Sequence, residues 1–312
     1  MNDLKKPVFR MLSGLPGSGK STHAQTLENF KIHSSDLLRK ELYGDENNQE
    51  NNNELFLELH RRIKEDLRRG HNVCYDATNL NKKRRIAFLN ELKNIHCYKE
   101  CILVLTPYEK CLKQNKMRKR YVPEDVIKRM YTNFNPPHYS EGWDSIGICL
   151  QLDGDEWENY DVNKLFNGEN GIDYFNQENS HHMLTLGWHC RKACEYIQEK
   201  YPEKKSVAVA ALLHDIGKVF TKSELNAKGE NDGECHYYQH HCVGAYDCLF
   251  YLMLSGLSAE QSLYISNLIY YHMHPYMGWR QSKSVERRTR IQIGEEMFED
   301  IMALHEADVA AH

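Results

Sequence analysis

The 312-residue chain reads as an α/β domain, a parallel sheet flanked by helices, followed by an all-α domain. Three observations carry that expectation. A glycine-rich loop, Gly14-Leu15-Pro16-Gly17-Ser18-Gly19-Lys20-Ser21-Thr22, lies between a short apolar run and a helical stretch. That is the strand–loop–helix order in which such loops work. Short strand-like runs then alternate with helical segments, the pattern of a parallel sheet. Beyond a stretch rich in Asn, Asp and Gly no convincing strand can be read.

Taken in order, residues 8–12 form the first strand, and a helix runs from Lys20 to about residue 28. Further strands are expected at 31–34, 72–75 and 101–105. The Asn-rich tract 46–53 reads as a surface loop without chemistry. Pro136-Pro137 and the segment 153–179 mark the junction. Residues 188–201, 207–220, 243–254, 259–272 and 295–308 read as helices, the last of them short. The expected division is 1–152, a linker 153–174, and 175–312.

Hydrophobic residues make up 41% of the chain and charged residues 27%, an ordinary soluble composition. No apolar run approaches the roughly 18 residues of a membrane helix. The opening MNDLKKPVFRMLSG is too polar for a signal peptide. Ten scattered cysteines without a Cys-x-x-Cys pair suit reduced thiols and a cytoplasmic location, with neither a disulfide framework nor a zinc knuckle. The net charge of −4 hides an asymmetry: residues 1–150 hold 26 Lys/Arg against 19 Asp/Glu, and residues 151–312 hold 14 against 25. The basic clusters Arg61-Arg62, Arg68-Arg69, Lys82-Lys83-Arg84-Arg85 and 113–120 favour a polyanionic partner for the first half. The acidic second half restricts any polynucleotide contact there to a cleft.

In the glycine loop, backbone N–H groups close around phosphates, a lysine neutralises the β and γ oxygens, and a hydroxyl holds Mg²⁺. Gly14, Pro16, Gly17, Ser18, Gly19, Lys20, Ser21 and Thr22 are therefore the expected ATP site, with Ser21 on the Mg²⁺. Such a loop names the phosphoryl donor and not the acceptor. Downstream stand Asp36-Leu37-Leu38-Arg39, then Asp76-Ala77-Thr78-Asn79-Leu80-Asn81 with Arg84-Arg85, then Asn115-Lys116-Met117-Arg118 with Val122-Pro123 and Val126. On these residues, positions 7–145 resemble the kinase domain of phage-type polynucleotide 5′-kinases. The resemblance implies Asp36 as the base for an attacking hydroxyl, Arg39 as a grip on an acceptor phosphate, and Arg118, on a lid helix, as the charge-balancing arginine. Where the family's lid carries a further basic residue, this chain has Gln114.

The second half is rich in histidine. His189 lies on one helix, and His214-Asp215 closes another through Ile216-Gly217-Lys218. The segment Tyr238-Gln239-His240-His241-Cys242-Val243-Gly244-Ala245 opens a third. His272 shares a face with Ile265, Leu268 and Ile269, and Asp308 shares one with Ile301, Leu304 and His305. Several apolar faces that each carry a His or Asp inward are better explained by metal than by chance, because buried polar groups left uncompensated cost several kcal/mol each. Residues 175–312 resemble an HD-domain metal-dependent phosphohydrolase. That resemblance implies His189, His214, Asp215 and Asp308 as ligands, His240 and His272 for a second ion, and Lys218 as a contact to substrate phosphate. His182, His241 and His274 are weaker candidates. Imidazole and carboxylate donors suit Mn, Fe, Co, Ni or Zn over Mg alone. Together the halves resemble a bifunctional end-healing enzyme, which implies a 5′-OH kinase and a phosphohydrolase acting on 3′-phosphate or 2′,3′-cyclic phosphate ends. RNA ends are favoured over DNA, an RNA ligase is the expected partner, and no membrane is involved. Two other readings stay open: a small-molecule or nucleoside kinase joined to a nucleotide phosphohydrolase, and a kinase whose HD half senses a nucleotide without hydrolysing it.

Overall fold

The computed structural model describes residues 6–48, 50–179 and 183–312. The chain divides into two compact units, Met1–Met130 with Pro137–Leu152, and Tyr131–Pro136 with Asp153–His312.

The first unit follows the order β1 (Val8–Ser13), α1 (Lys20–Gln25), β2 (Phe30–Ser34), α2 (Ser35–Tyr43), α3 (Asn52–Arg68), β3 (Asn72–Asp76), α4 (Lys82–Glu91), β4 (Tyr98–Leu105), α5 (Tyr108–Lys116), α6 (Glu124–Tyr131) and β5 (Ser145–Leu150). The strands pair in parallel in the order β2-β3-β1-β4-β5. Phe9 stands opposite Val73 and Leu12 opposite Asp76, so β1 and β3 end level with the glycine loop. One sheet face packs Leu12 and Cys74 against Ala24 of α1. Elsewhere in the core Phe9 meets Phe88 at 5.4 Å and Trp143 at 6.4 Å. Leu55, Leu59, Ile63 and Leu67 recur every fourth residue and seat α3. The four expected strands form. β5 was not expected, because an edge strand needs no dense apolar run and SIGICL is only half-buried.

Several basic residues have local employment. Arg61 pairs with Glu58 and Glu65, Arg62 with Glu58 and Glu41, and Arg69 with Glu65. Arg85 is buried and grips Glu141 through two 2.7 Å bonds, which Trp143 joins through its ring N–H at 3.1 Å. These cations therefore offer little to a polyanion, a correction to the reading of their clusters. The Asn-rich tract is also shorter than a loop from 46 to 53, since α3 starts at Asn52.

The second unit is helical: α7 (Val162–Asn167), α8 (Leu186–Lys200), α9 (Lys205–Leu213), α10 (Lys218–Thr221), α11 (His240–Leu254), α12 (Ala259–Tyr271), α13 (Gly278–Gln281), α14 (Lys283–Ile293) and α15 (Glu295–Ala310). The α11 sequence HHCVGAYDCLFYLML is buried at eleven of its positions and forms the central helix. The helix expected over 207–220 is two helices, α9 and α10, parted by the turn at 214–217. A Cβ on Gly217 would lie 2.1 Å from the His240 carbonyl oxygen, so glycine lets α11 approach that turn. α13 and α14 were not anticipated, because Pro275 and Gly278 interrupt the periodic pattern. α15 is 16 residues long, not short. The segment 153–174 carries α7 between two 3₁₀ helices, Gly154–Tyr160 and Ile172–Tyr174, with Phe166 and Ile172 buried. All ten cysteines are free thiols. Among the described residues no helix is long and apolar enough to cross a membrane.

Within this unit the Tyr131 hydroxyl lies 2.6 and 2.7 Å from the two carboxylate oxygens of Asp247 on α11. Although Asp247 keeps some exposure, the protein packed around its carboxyl pushes it up to about 7. The folded chain thus holds this proton more tightly than the unfolded chain, whose carboxyl titrates near 3.9. Its stabilising contribution is complete below about pH 4 and is lost as pH rises through about 7. Against Asp247→Asn, the wild-type protein should lose relative stability between about pH 4 and 7 and level off above, measured as the difference in denaturation midpoint. A pH-independent difference would contradict the assignment.

Candidate functional site

The chain carries two sites, one in each unit. In the first, Gly17 and Gly19 adopt φ of 82° and 86°, and a Cβ at Gly17 would sit 2.3 Å from the Cys111 carbonyl oxygen. Only glycine fits there. The loop is braced by Thr106, whose hydroxyl donates to the Ser18 carbonyl at 2.8 Å, and by the Gly14 amide, which donates to Thr78 at 3.0 Å. Lys20 Nζ lies inside the loop, donating to the carbonyls of Leu15 at 2.7 Å and Gly14 at 3.0 Å. Burial pushes this ammonium down to about 8 against the pull of Asp76, and Arg118 and Arg120 add to the fall. Ser21 Oγ donates to Asp76 Oδ2 at 2.8 Å. A hydroxyl and a carboxylate so placed at the end of β3 form a site for Mg²⁺ beside the loop.

Asp36 lies in the first turn of α2. The cap of that helix is Ser34, which accepts from the Leu37 amide, so Asp36 is not spent as a cap. Three guanidinium groups converge on its carboxylate: Arg39 at 3.2 Å, Arg118 at 3.8 Å, and Arg120 in direct ion-pair contact. Arg39 is buried and held by Asn52 at 2.9 Å. The lid departs from expectation in one respect. α5 stops at Lys116, and Arg118 and Arg120 occupy the following loop, which Asn115 closes by bonding both backbone groups of Val122 at 2.8 and 3.1 Å. Asp76, Arg120 and Asn52 were not assigned from sequence, although Asp76 was part of the pattern quoted there.

The second site gathers His189 from α8, His214 and Asp215 from the α9–α10 turn, His240 from α11, His272 at the end of α12, and Asp308 from α15. All six are buried. Two groups have donor atoms within 4.8 Å of one another: His189, His214 and Asp308, and Asp215, His240 and His272. His189 and His214 bring their Nε2 atoms to 3.2 Å, and His240 and His272 bring theirs to 3.1 Å. Asp215 faces both pairs, with Oδ2 at 3.3 Å from His214 and Oδ1 at 3.2 Å from His240.

The fit to cations follows from the other ring nitrogens. Nδ1 of His214, His240, His272 and His189 faces the carbonyls of Ala211 (2.7 Å), Tyr237 (2.8 Å), Ile269 (2.6 Å) and Ala311 (3.3 Å). A carbonyl only accepts, so each Nδ1 carries hydrogen and each neutral Nε2 turns a lone pair inward. Two such nitrogens about 3 Å apart need a bound cation or a shared proton between them, and the flanking carboxylates favour the cation. Burial pushes His272 down to about 4, which keeps it neutral. Burial would lower His214 as well, but Asp215 raises it well above its ordinary value, so protons compete with metal there. His241, pushed to about 2 by burial among His240, His272 and His274, stays outside both groups, as does His274. His182 lies outside the described residues. His305 meets Tyr276 edge-on at 4.4 Å and is in neither ligand group.

A model of the AAA domain family matches residues 10–137, and one of the HD domain family matches residues 179–306. The chain joins a P-loop AAA domain to an HD domain. It is 31% identical over 172 residues to L-seryl-tRNA(Sec) kinase of Methanococcus maripaludis, covering 50% of this chain and 62% of that protein. Among solved structures it is similar to a chain of the Pnkp1/Rnl/Hen1 RNA repair complex, at 20% identity and a TM-score of 0.34, covering 40% of this chain and 42% of that one. A gluconokinase from Sinorhizobium meliloti 1021 matches at 14% identity and a TM-score of 0.34, covering 48% and 85%. The chain thus spans less than two thirds of the curated relative and of the repair-complex chain.

Around the HD centre the sequence-assigned Lys218 meets Gln177, and Asp308 meets Tyr276, two partners that were not assigned from sequence. Lys218 Nζ lies 2.7 Å from Asp215 and donates to Gln177 Oε1 at 2.8 Å. Tyr276 donates to Asp308 Oδ2 at 2.9 Å. No period or motif marks either; only the fold brings them in. Because Asp215 serves both groups, metal analysis should find two divalent ions in the wild-type chain, one in His189→Ala or His272→Ala, and none in Asp215→Ala. Retention of one ion by Asp215→Ala would contradict the shared role.

Proposed function

We propose that the chain is a bifunctional polynucleotide kinase–phosphatase that heals RNA ends, moving the γ-phosphate of ATP to a 5′-OH and hydrolysing a 3′-phosphate or 2′,3′-cyclic phosphate. One observation carries this reading: a phosphate loop with Asp36 and its arginines, and a six-residue His/Asp centre with Lys218, stand in one polypeptide. The curated relative is by name an L-seryl-tRNA(Sec) kinase, which supports kinase chemistry on a hydroxyl carried by RNA and leaves the 5′-OH as part of the proposal.

In the kinase step Asp36 takes the proton of the attacking hydroxyl as the oxygen approaches the γ-phosphorus. Lys20 neutralises the β and γ oxygens, Ser21 and Asp76 hold Mg²⁺, and Arg39 grips a phosphate of the acceptor strand. Arg118 and Arg120, on the loop after α5, balance charge on the transferring group. In the hydrolytic step His189, His214, Asp215, His240, His272 and Asp308 are the ligands. Divalent ions held by these residues would supply Lewis acidity and lower the pKa of a water. Lys218, steadied by Gln177, meets the substrate phosphate, and Tyr276 fixes the free oxygen of Asp308. An RNA ligase would use the repaired ends.

The test is incubation with ATP and an RNA bearing 5′-OH and 3′-phosphate. Asp36→Ala should lose about 10²–10⁴-fold in 5′ phosphorylation while keeping 3′ hydrolysis. His214→Ala with Asp215→Ala should do the reverse. Arg120→Ala should slow the kinase by at least as much as Arg118→Ala, on the order of 10³-fold. Phosphorylation of a seryl-tRNA with no reaction at the 5′-OH strand would transfer the kinase reading to that acceptor.

A further inference from the structure

The basic patch that remains unexplained lies in the acidic half. Residues 280–290 hold Arg280, Lys283, Arg287, Arg288 and Arg290 against the single acid Glu286, in a half where Asp and Glu outnumber Lys and Arg 25 to 14. All five are exposed on α13 and α14. Lys283 is tied to Glu286 and Arg290 to Glu295. Among the described residues Arg280 and Arg287 have no acidic partner, and Arg288 bonds only the Ser284 carbonyl of its own helix. This differs from α3, where arginines and glutamates are matched.

The pair of helices is seated beside the metal centre. Trp279 of α13 is buried and packs on Phe298 of α15 at 5.1 Å, the helix that carries Asp308. His274 touches the same indole at 5.9 Å and reaches His272 through His241, at 6.3 and 6.4 Å. Tyr276, bonded to Asp308, is four residues from Arg280, so at most about 14 Å of chain separates the centre's edge from the patch.

We infer that α13 and α14 form the docking surface by which the HD domain holds the phosphodiester backbone of a nucleic-acid strand whose end lies in the metal centre. The inference rests on the proposed reaction for its substrate. Charge complementarity selects the occupant. Acids outnumber cations in this half, and 280–290 is its densest run of cations, where the exposed guanidiniums of Arg280, Arg287 and Arg288 can take phosphate oxygens bidentately. Arg280, Arg287 and Arg288 supply the grip, and the metal centre takes the terminal ester.

The test uses the full-length chain and a 5′-phosphorylated RNA of about 12 nucleotides ending in 3′-phosphate, a length suited to single-strand sites. The variant is Arg280→Ala/Arg287→Ala/Arg288→Ala. Its KM for this RNA should rise about tenfold, its hydrolysis of p-nitrophenyl phosphate should be unchanged, and its kinase KM for a 5′-OH strand should stay at the wild-type value. The slope of log affinity against log salt, read by fluorescence anisotropy, should become shallower by about 2, from three lost phosphate contacts on a single strand. Arg→Lys at the same positions should restore most of the binding. An unchanged KM and salt slope overturns the inference, whatever other polyanion the surface then takes. If the triple variant loses p-nitrophenyl phosphate turnover, Arg287→Glu supplies the same reading. A wild-type chain that binds the RNA but does not hydrolyse it refutes the reaction and leaves the anisotropy comparison decisive for the surface.

Discussion

Asp215 faces two imidazole pairs with its two oxygens, and the chemistry of the helical unit depends on that placement. Four helices and a turn deliver the surrounding side chains, and each imidazole is oriented by a backbone carbonyl one turn or one helix away. The carbonyls at Ala211, Tyr237 and Ile269 each lie three residues before the histidine they orient, so the helix end itself sets the ring. Gly217 completes the arrangement by admitting the α11 backbone next to the turn. The result is a buried set of lone pairs and carboxylates that repel one another in isolation and attract a cation together. Metal binding and folding of this unit are consequently linked, since a cation held only by the folded form stabilises it by mass action.

The AAA domain inverts this pattern, with cations gathered around one carboxylate. Arg39 is fixed by burial and by Asn52, while Arg118 and Arg120 sit on a loop that Asn115 closes. Both loop arginines also depress Lys20, so they lie within reach of the phosphate loop as well as of Asp36. A triphosphate carries several negative charges and outcompetes a single carboxylate for mobile guanidiniums. Nucleotide arrival would therefore draw the two arginines from Asp36 and release its oxygens for the acceptor hydroxyl, while Arg39 stays. One set of ion pairs thus joins the loop after α5 to the start of α2 and balances the Asp36 carboxylate.

Legibility followed the kind of signal each residue leaves. The glycine loop, the first four strands and the clustered His and Asp side chains were readable because backbone demands and face periodicity leave marks along the sequence. β5 and the polar helices α13 and α14 leave weaker marks, since an edge strand and a solvent-facing helix can use almost any residue. Gln177 and Tyr276 were invisible for another reason: each is joined to its partner across dozens of positions, Gln177 to Lys218 and Tyr276 to Asp308. Charge counts misled where they ignored spacing. Arg61 and Arg62 look like free cations in a tally, yet Glu58 and Glu65 one helical turn away neutralise them.

A chain that adds phosphate at one end of a strand and removes it at the other needs discrimination between two phosphomonoesters. The HD centre alone offers little. Lys218 and divalent ions would bind the dianion of either ester, because both present the same terminal oxygens. Preference must come from groups flanking the ester, and a tenfold preference requires only about 1.4 kcal/mol. One or two backbone phosphates held at a fixed offset and polarity from the centre meet that requirement, because a strand entered from its 3′ end places its next phosphate differently from one entered from its 5′ end. On the proposed reading the selectivity of the hydrolytic site would reside in a patch of arginines that touches no reacting atom, which would leave the metal-ligating residues to the bond-breaking step alone.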